Sequence, residues 1–312
     1  MKPLKIGKIK IKNPLFLAPM VEVTDLPYRL ICRKAGAAMA YTEMLYIDAI
    51  LHENKKTKDL MKTSKEDKPL GIQVTGSSIN EFKKLRPYVK KYDLVDINCG
   101  CPSIRITGNQ AGSYLLKNPS KIASIIKILK NQDLTVTAKI RLGFKKNNAI
   151  KIAKQIEKAG ADAITIHTRL AIHGRSIPAD HSWTKKIKET ISIPLIANGD
   201  IFSPQDAEKL LEFSDSVMIA RGAIGDPLIF KRTLRYLKTG KEIQTSFKEN
   251  IKQFSLYLSL AKKYNLLDLS RIKYIGTNFI KNTHGAAKLR QELMALKNIN
   301  EIQTFLKDLK TI

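Results

Sequence analysis

Short apolar runs recur along the first 220 residues of the chain, and longer stretches with a helical hydrophobic period separate them. Runs of this length, bounded by Gly, Pro or polar residues, are typical of buried parallel strands. The predicted strands cover residues 15–18, 38–42, 70–74, 94–98, 135–141, 163–167, 195–198 and 216–220. Eight alternating strand and helix units predict an α/β protein with a closed (β/α)8 TIM barrel, and an open doubly wound sheet is the alternative.

Local start signals support the helices between these strands. Ser203 is followed three residues later by Asp206, as in a capping box. Asn118 and Pro119 form a second start signal. The apolar face predicted for that helix is Ile122, Ile125, Ile126 and Leu129.

The pattern changes near Thr239, where the strand-like runs stop and a helical period alone continues. We therefore predict two domains, a barrel over 1–238 and a small all-α domain over 239–312. The segment 231–312 carries 17 Lys and Arg against 6 Asp and Glu, so the end of the chain is basic.

The net charge of the whole chain is +27, which is extreme for a soluble enzyme. Such an excess indicates a polyanionic partner, and nucleic acid is the simplest one. Cationic side chains of the helical domain are expected to grip the phosphate backbone: Lys262, Lys263, Arg271, Lys273, Lys281, Lys288 and Arg290.

Other classes of protein are disfavoured by what the sequence lacks. No apolar run approaches the ~18 residues of a membrane span, and the N-terminus alternates Lys with Ile as a strand would. We expect a cytoplasmic protein without membrane contact and take a monomer as the default. Three cysteines are too few for a disulfide framework, a zinc site or an iron–sulfur cluster, so no metal is predicted. Cys32 and Cys99 are expected to be small buried residues.

Polar or reactive side chains follow nearly every predicted strand, where barrel enzymes assemble their active sites. Cys101 stands out because it lies between Gly100 and Pro102, directly after a buried run. Lys139 stands within an apolar segment, where a charge without a partner would be costly. Strands seven and eight lead into Asn198-Gly199-Asp200 and Ala220-Arg221-Gly222. Glycine loops at these two places commonly bind phosphate, and simple tight turns are the alternative interpretation.

The motifs that carry a family resemblance are Leu17-Ala18-Pro19-Met20 with Thr24-Asp25, Thr42-Glu43-Met44, Asp96-Ile97-Asn98-Cys99-Gly100-Cys101-Pro102, Lys139-Ile140-Arg141-Leu142-Gly143 and Asn198-Gly199-Asp200-Ile201. They resemble the tRNA-dihydrouridine synthases, and Gly285-Ala286-Ala287 with Leu289-Arg290 is similar to the helical domain of that family. The resemblance implies an FMN-bearing barrel that reduces particular uridines of tRNA to 5,6-dihydrouridine. It also implies NADPH as the electron donor, with NADH as the other candidate.

Individual roles follow from the same resemblance. It implies that the flavin ring contacts Pro19, Met20, Val21, Gln73, Lys139 and His167. The flavin phosphate would be held by Asn198, Gly199, Asp200, Ala220 and Arg221. Substrate contacts would come from Asn98, Lys139, Arg141, His167 and Arg290. Reduced FMN would supply hydride to C6 of the uracil, and Cys101 would donate the proton to C5, since a thiol is mostly protonated at neutral pH.

The chain departs from the family pattern in two places. Val21-Glu22 follows Pro19-Met20 where the family usually has Ala-Gly, and Thr168-Arg169-Leu170 follows His167 where the family often has Gly-Arg-Thr. The roles of Glu22, Arg169 and His173 therefore stay open. Two other functions also stay open: a flavin-dependent dehydrogenase of free pyrimidines, of the dihydroorotate or dihydropyrimidine type, and a non-catalytic RNA-binding protein. The basic tail disfavours the first, and the strand-end residues disfavour the second.

Overall fold

The computed structural model describes residues 4–174, 176–281 and 283–309 of the chain. A hairpin of β1 (Leu4–Ile6) and β2 (Ile9–Ile11) precedes the main sheet. The strands of the main sheet are all parallel: β3 (Leu15–Leu17), β4 (Ala40–Tyr41), β5 (Leu45–Tyr46), β6 (Leu70–Thr75), β7 (Leu94–Cys99), β8 (Val136–Gly143), β9 (Ala163–Leu170), β10 (Leu195–Asn198) and β11 (Ser216–Ile219).

The sheet closes on itself. The order of the strands is β3-β11-β10-β9-β8-β7-β6-β4. A parallel bridge between Phe16 of β3 and Met39, the residue before β4, joins the two ends of this order. The short strands β4 and β5 pair with the two ends of β6 and together occupy one position of the barrel. The predicted (β/α)8 barrel is thus confirmed, and the open doubly wound sheet is wrong.

Helices cover the outside of the barrel. They are α1 (Leu26–Lys34), α2 (Ile47–Leu51), α3 (Lys55–Leu60), α4 (Ile79–Lys83), α5 (Arg86–Val89), α6 (Ile104–Thr107), α7 (Pro119–Lys130), α8 (Ala149–Lys158), α9 (Ser182–Lys188), α10 (Pro204–Leu211) and α11 (Ile229–Thr239). The two start signals act as predicted: the side chain of Asn118 accepts from the backbone N–H of Lys121, and Ser203 with Asp206 forms a reciprocal capping box. Short 3₁₀ turns cover Gly112–Lys117 and Arg221–Ala223.

The core has two layers because the sheet separates the barrel interior from the helices. Inside the barrel, Phe16, Tyr41 and Met218 pack with Ile6 and Ile11 of the hairpin. The hairpin lies at the amino ends of the strands, since its Gly7 faces Thr135 and Asp162, which directly precede β8 and β9. A larger cluster fills the space between the strands and the surrounding helices. Apolar side chains thus fill the barrel at the amino ends of its strands, and the polar side chains lie at the carboxyl ends.

Four further helices follow the barrel: α12 (Phe247–Lys263), α13 (Leu269–Phe279), α14 (Ala286–Ala295) and α15 (Ile299–Leu309). The described part of the chain has no strand after β11, which confirms the predicted helical C-terminal region. Gly240 ends α11 in the left-handed conformation, next to the predicted boundary at 238/239. The division of the chain into two domains at that point stays a prediction.

An aromatic cluster joins this helical region to the barrel. The ring of Tyr257 on α12 meets the ring of Tyr28 on α1 edge-on, with 5.9 Å between centroids. Phe279 on α13 stacks on Phe254, at 5.4 Å, and also contacts Tyr28. All four side chains are fully buried, so the tail packs on the barrel through a shared core.

Candidate active site

The register of the parallel sheet brings the predicted site residues side by side. The paired positions are Gln73 with Asp96, Asn98 with Lys139, Arg141 with His167, and His167 with Asn198. Paired residues of neighbouring parallel strands point to the same face of a sheet. The side chains that were predicted from strand ends therefore lie in one group at the mouth of the barrel.

A series of side-chain amides, here called the amide series, leads from Asp96 to Cys101. Gln73 donates from Nε2 to Asp96 Oδ2 at 2.7 Å, and Asn98 donates from Nδ2 to Gln73 Oε1 at 2.9 Å. Oδ1 of Asn98 accepts from the backbone N–H groups of Gly100 and Cys101 at 3.1 and 2.9 Å. Each bond sets the orientation of the next amide, so the series determines where the backbone of Cys101 lies.

The fully buried carboxyl of Asp96 anchors this series. Its second oxygen accepts from the hydroxyl of Thr137 at 2.6 Å. Burial raises the pKa of Asp96 to about 6, although the hydrogen bonds from Gln73 and Thr137 oppose that rise. Asp96 was not among the predicted site residues. A signal was present, since Asp96 stands two positions before Asn98 on one strand and therefore on the same face.

Cys101 is half-buried and its backbone is held from several sides. Its carbonyl accepts from the backbone N–H of Ser113 at 2.9 Å, and Nε of Arg141 donates to the carbonyl of Gly100 at 2.8 Å. Cys99 is fully buried, and burial raises the pKa of its thiol far above the usual range. Cys32 is also fully buried, so the prediction of two structural cysteines is confirmed.

Lys139 projects into this group from β8. Its Nζ donates to Oδ1 of Asn198 at 2.9 Å, and Asn198 in turn donates from Nδ2 to the carbonyl of Met218 at 2.7 Å. Burial and the positive charge of Arg141 lower the pKa of Lys139 to about 8, against the opposing effect of Asp96. Burial and the neighbouring guanidinium of Arg169 lower the pKa of Arg141 to about 10.

His167 is held as a neutral ring. Its Nε2 lies 2.9 Å from Nη1 of Arg169, which is buried and has donors only. Nε2 is therefore the acceptor, and the ring proton resides on Nδ1. Burial first, then the positive charges of Lys139, Arg141, Arg169 and Arg221, lower the pKa of His167 far below its usual range.

Asp200 links the His167 region to the loop after β11. Its carboxylate accepts from Nη2 of Arg169 at 2.5 Å, from Nη2 of Arg221 at 2.8 Å and from the backbone N–H of Ala179 at 3.0 Å. Partial burial opposes these contacts, but the hydrogen bond from Arg169 and the two other donors keep the pKa of Asp200 below its usual value. Both guanidinium groups are thereby held beside the strand ends.

A small cavity of about 40 Å³ lies between the loops that follow β10 and β11. Its lining residues are His167, Asn198, Gly199, Asp200, Ile201, Phe202, Met218, Ala220 and Arg221. Gly199 has φ of +120°, and a Cβ there would lie 2.8 Å from Cδ2 of His167. Only glycine therefore allows this close approach. The five residues predicted for the phosphate site all line the cavity.

The loop after β3 forms another part of the mouth. Pro19 and Met20 are half-buried, whereas the side chain of Val21 is 53% exposed. The hydroxyl oxygen of Thr24 accepts from the backbone N–H of Met20 at 2.9 Å, which closes a tight turn. Glu22 lies in this turn with φ of +65°.

Arg290, which was predicted to contact the substrate, and His173, whose role was left open, lie apart from the side chains at the barrel mouth. Arg290 is on α14 and donates from Nη1 to the carbonyl of Ile280 at 3.0 Å. Among the residues that the structure describes, no hydrogen bond or ion pair joins Arg290 to the strand-end side chains. His173 is half-buried in the loop after β9, where its backbone N–H donates to the carbonyl of Leu170. His173 begins a His173-Gly174-Arg175 sequence, and its Arg175 lies outside the described residues.

Metal sites and membrane-spanning helices are the other features considered for this chain. Within residues 4–174, 176–281 and 283–309, no cluster of three or more His, Cys, Asp and Glu side chains has an arrangement that would hold a metal ion. In the same ranges, none of the helices combines the length and the apolar character that crossing a bilayer requires.

Solved structures of other proteins share the fold of this chain. An old yellow enzyme homologue from Zymomonas mobilis superposes with a TM-score of 0.53 at 13% identity, over 80% of this chain and 95% of that one. Histamine dehydrogenase from Rhizobium sp. 4-9 superposes with a TM-score of 0.54 at 15% identity, over 83% of this chain and 50% of that one. At such low identity the likeness extends to the fold alone.

Sequence comparison is more specific. The chain is 34% identical over 272 residues to tRNA-dihydrouridine synthase B of Pseudomonas aeruginosa, which covers 82% of each chain. It is 31% identical over 302 residues to a probable tRNA-dihydrouridine synthase of Aquifex aeolicus, over 93% of this chain and 94% of that one. The family model for dihydrouridine synthase matches residues 16–311, from the first barrel strand to beyond the end of α15. The chain therefore belongs to the dihydrouridine synthase family.

Proposed function

We propose that this protein reduces uridines of tRNA to 5,6-dihydrouridine with a bound flavin. One observation carries the proposal: positive charge accumulates around a neutral histidine at the barrel mouth. The cationic groups that act on His167 are Lys139, Arg141, Arg169 and Arg221. Several positive charges held close together are costly without an anion. The carboxylate of Asp200 neutralises only part of this charge because, among the described residues, it pairs with Arg169 and Arg221 alone. A cofactor with a phosphate supplies the missing negative charge.

The phosphate end indicates FMN as the flavin. The cavity beside Gly199 and Arg221 is small, at about 40 Å³, which suits the terminal phosphate that we propose for it. Gly199 lets the backbone approach, and Arg221 adds a charge that Asp200 orients. Asn198 and Ala220 complete the proposed cradle.

The ring end would rest on residues of the barrel mouth that keep hydrogen-bond donors for a ligand. Gln73 and His167 each keep one N–H without a partner in the hydrogen bonds above: the second Nε2 hydrogen and Nδ1–H. Lys139 adds a third donor, and Pro19, Met20 and Val21 supply the apolar wall. When bound, the flavin supplies the hydride that uracil receives at C6, after reduction by NADPH or NADH.

The substrate side follows from the amide series. Asn98 uses Oδ1 for two backbone N–H groups, so its second Nδ2 hydrogen is the group left for a uracil carbonyl. Arg141, Lys139 and His167 are the further donors we propose for the pyrimidine. Cys101 then donates the proton to C5, because it is the half-buried cysteine of the three and its backbone is held in place.

The macromolecular substrate is supported by the relatives and by charge. Both relatives described above carry tRNA-dihydrouridine synthase in their names. A net charge of +27 suits a tRNA backbone and has no use toward a free pyrimidine, so a dehydrogenase of free pyrimidines is not favoured. The exposed lysines of the helical tail are the proposed backbone contacts, and Arg290 is proposed as a contact near the target base.

Two measurements test this function together. The purified protein should be yellow and should release FMN on denaturation. Dihydrouridine should disappear from defined positions of tRNA in cells that lack the gene. Reintroducing the wild type should restore it, and reintroducing Cys101→Ala should not. An unchanged dihydrouridine map in the deletion strain would contradict the proposal.

A further inference from the structure

Four charged residues, Glu22, Asp25, Glu43 and Arg271, form an ion cluster where the helical tail meets the loop after β3. We propose that Arg271 is a positioning residue that holds the flavin-lining loop, residues 19–25, in its active shape from the C-terminal helices. The term flavin-lining rests on the proposed function. The positioning itself is a matter of contacts within the chain.

The geometry of Arg271 excludes the role expected from the sequence. It is buried on α13, with 6% of the residue exposed, so it cannot grip an RNA phosphate. Its Nη1 pairs closely with Oε1 of Glu43, and its Nη2 lies 3.5 Å from Oε2 of Glu22. Nη1 is also 3.9 Å from Oδ2 of Asp25. One guanidinium from the tail thus faces three carboxylates of the barrel.

The loop needs such support because it contains a strained residue. Glu22 has φ of +65°, a conformation that residues with a Cβ rarely adopt. Its backbone N–H donates to Oε2 of Glu43 at 2.8 Å, and the other oxygen of Glu43 is the one that Arg271 binds. Since Glu22 directly follows Met20 and Val21, the shape of this turn decides where both lie.

The far end of the loop is tied to the tail as well. Oδ1 of Asp25 accepts from the backbone N–H of Tyr28 at 2.9 Å and so caps α1. Oδ2 of Asp25 accepts from the hydroxyl of Tyr257 on α12 at 3.0 Å. Tail groups therefore hold the loop at Glu22, through Glu43, and again at Asp25.

Arg271 decides the stability of the ion cluster because it carries the positive charge that the three carboxylates share. Glu22, Asp25 and Glu43 repel one another, and Arg271 is the group that pairs with all three. Removing it leaves the buried carboxylates of Asp25 and Glu43 without the cation that pairs with them, which is far more damaging than losing an exposed ion pair. The repulsion acts on Glu43 and Glu22 first, so the strained turn should open before the barrel does.

The experiment compares amide hydrogen exchange in Arg271→Met with exchange in the wild-type holoenzyme. Exchange in residues 19–25 should accelerate about tenfold or more, as expected for loss of a buried ion pair. Exchange in β9 should stay as in the wild type, and the Kd for FMN should rise. Arg235→Met is the matched control, because Arg235 is an exposed arginine on α11, and it should change nothing.

A second variant separates positioning from general damage. Glu43→Gln removes one repelling charge but keeps an acceptor for the N–H of Glu22, so the double variant Arg271→Met with Glu43→Gln should recover most of the protection of the loop. If Arg271→Met fails to fold, Arg271→Lys and the double variant supply the comparison.

Two results would overturn the proposal: unchanged exchange in residues 19–25 of a folded Arg271 variant, or equal acceleration in the loop and in β9. Both are read at saturating FMN and again on protein freed of FMN, so neither depends on flavin. A wild-type protein without flavin and without dihydrouridine synthesis would instead contradict the proposed function, and the exchange data would still decide the role of Arg271.

Discussion

Cys99 and Cys101 stand on either side of Gly100 and have opposite surroundings. Cys99 ends β7 with its side chain in the core between the strands and the helices, whereas Cys101 is partly open at the barrel mouth. Position along the strand explains the difference, since the chain leaves the sheet after Cys99 and the amide of Asn98 then directs Cys101.

Cys101→Ala should nearly abolish dihydrouridine formation while reduction of the flavin by NADPH stays normal. The expected loss is about 10²–10⁴-fold, the usual contribution of a positioned acid. Cys99→Ala should retain activity because that thiol is buried away from the mouth. Rapid-mixing spectroscopy and a tRNA assay measure the two half-reactions. Equal losses in both variants would rule out this assignment.

Arg169→Met should raise the pKa of His167. The substitution removes both a cationic neighbour and the hydrogen bond to Nε2, while burial and Lys139 continue to hold the pKa below its usual value. The ¹⁵N shifts of the imidazole, followed against pH, report both the pKa and the tautomer. Exposed His52 should keep the same shifts in both proteins and serves as the reference. An unaltered titration of His167 would refute the role given to Arg169.

At the scale of elements, the 3₁₀ turn Gly112–Lys117 supports the Cys101 loop. Gly112 has φ of +59°, and a Cβ there would lie 2.7 Å from the carbonyl oxygen of Cys101 and 2.5 Å from Ile106. The turn and the loop can meet only because residue 112 has no side chain.

Gly112→Ala should displace Cys101 and reduce dihydrouridine formation strongly while flavin content stays normal. Gly240→Ala is the control, since Gly240 has φ of +68° and a Cβ there would meet nothing within 4 Å. Both variants should lose about 1 kcal/mol of stability from backbone strain, and Gly112→Ala should lose more because its Cβ also clashes with the carbonyl of Cys101. Thermal unfolding measures the two losses, and the tRNA assay should distinguish the variants. Similar activity in the two variants would contradict the support that Gly112 provides.

At the scale of the whole molecule, the tail is both a proposed RNA surface and part of the core of the barrel. Deleting it would uncover Tyr28, which packs on Tyr257 and Phe279, and would leave Glu43 without Arg271. A truncated barrel is therefore expected to be unstable. Surface charges are the cleaner way to test tRNA binding.

Replacing the exposed tail lysines by Gln should weaken tRNA binding and flatten its dependence on salt. The four positions are Lys262, Lys263, Lys281 and Lys288. For every phosphate that is no longer neutralised, the slope of log K against log salt should become shallower by about 0.7–0.9. The control removes the same charge from the outer barrel helices, at Lys127, Lys151, Lys154 and Lys158. Equal effects of the two sets would show that net charge alone drives binding.

Asp96→Asn should gain stability relative to the wild type as the pH rises. Burial raises the pKa of Asp96 from 3.8 to about 6, so the folded protein binds more protons than the unfolded chain between these values. The contribution of Asp96 to the free energy of unfolding of the wild type therefore falls by about 1–3 kcal/mol as the pH rises from 3.8 to about 6. The neutral amide escapes this loss, and the hydroxyl of Thr137 can turn to accept from it. Urea unfolding at pH 4.5 and 7 measures the free energy of unfolding of both proteins. The difference between variant and wild type would be the same at the two pH values if the carboxyl of Asp96 did not titrate as described.

Much of the architecture followed from local pattern. The barrel strands, the helical tail, the capping box at Ser203 and the start of α7 at Asn118 each depend on neighbours within a few residues. The family was also readable from short motifs, and the match over residues 16–311 confirms it. Proximity of the predicted site residues followed too, because parallel strands bring their carboxyl ends together.

Other properties depended on contacts between distant parts of the chain. In the sequence, Arg271 is one more cation of a basic tail. Its predicted contact with RNA is wrong because Arg271 is buried and pairs with the carboxylate of Glu43, 228 residues away in sequence. Asp96 reads as part of a motif, yet only the register of β6 and β7 shows that it anchors Gln73. Sequence thus determined the elements and the family, since hydrophobic period and caps act over a few residues. Tertiary structure alone decided which charges are buried together, because desolvation depends on everything that packs around a group.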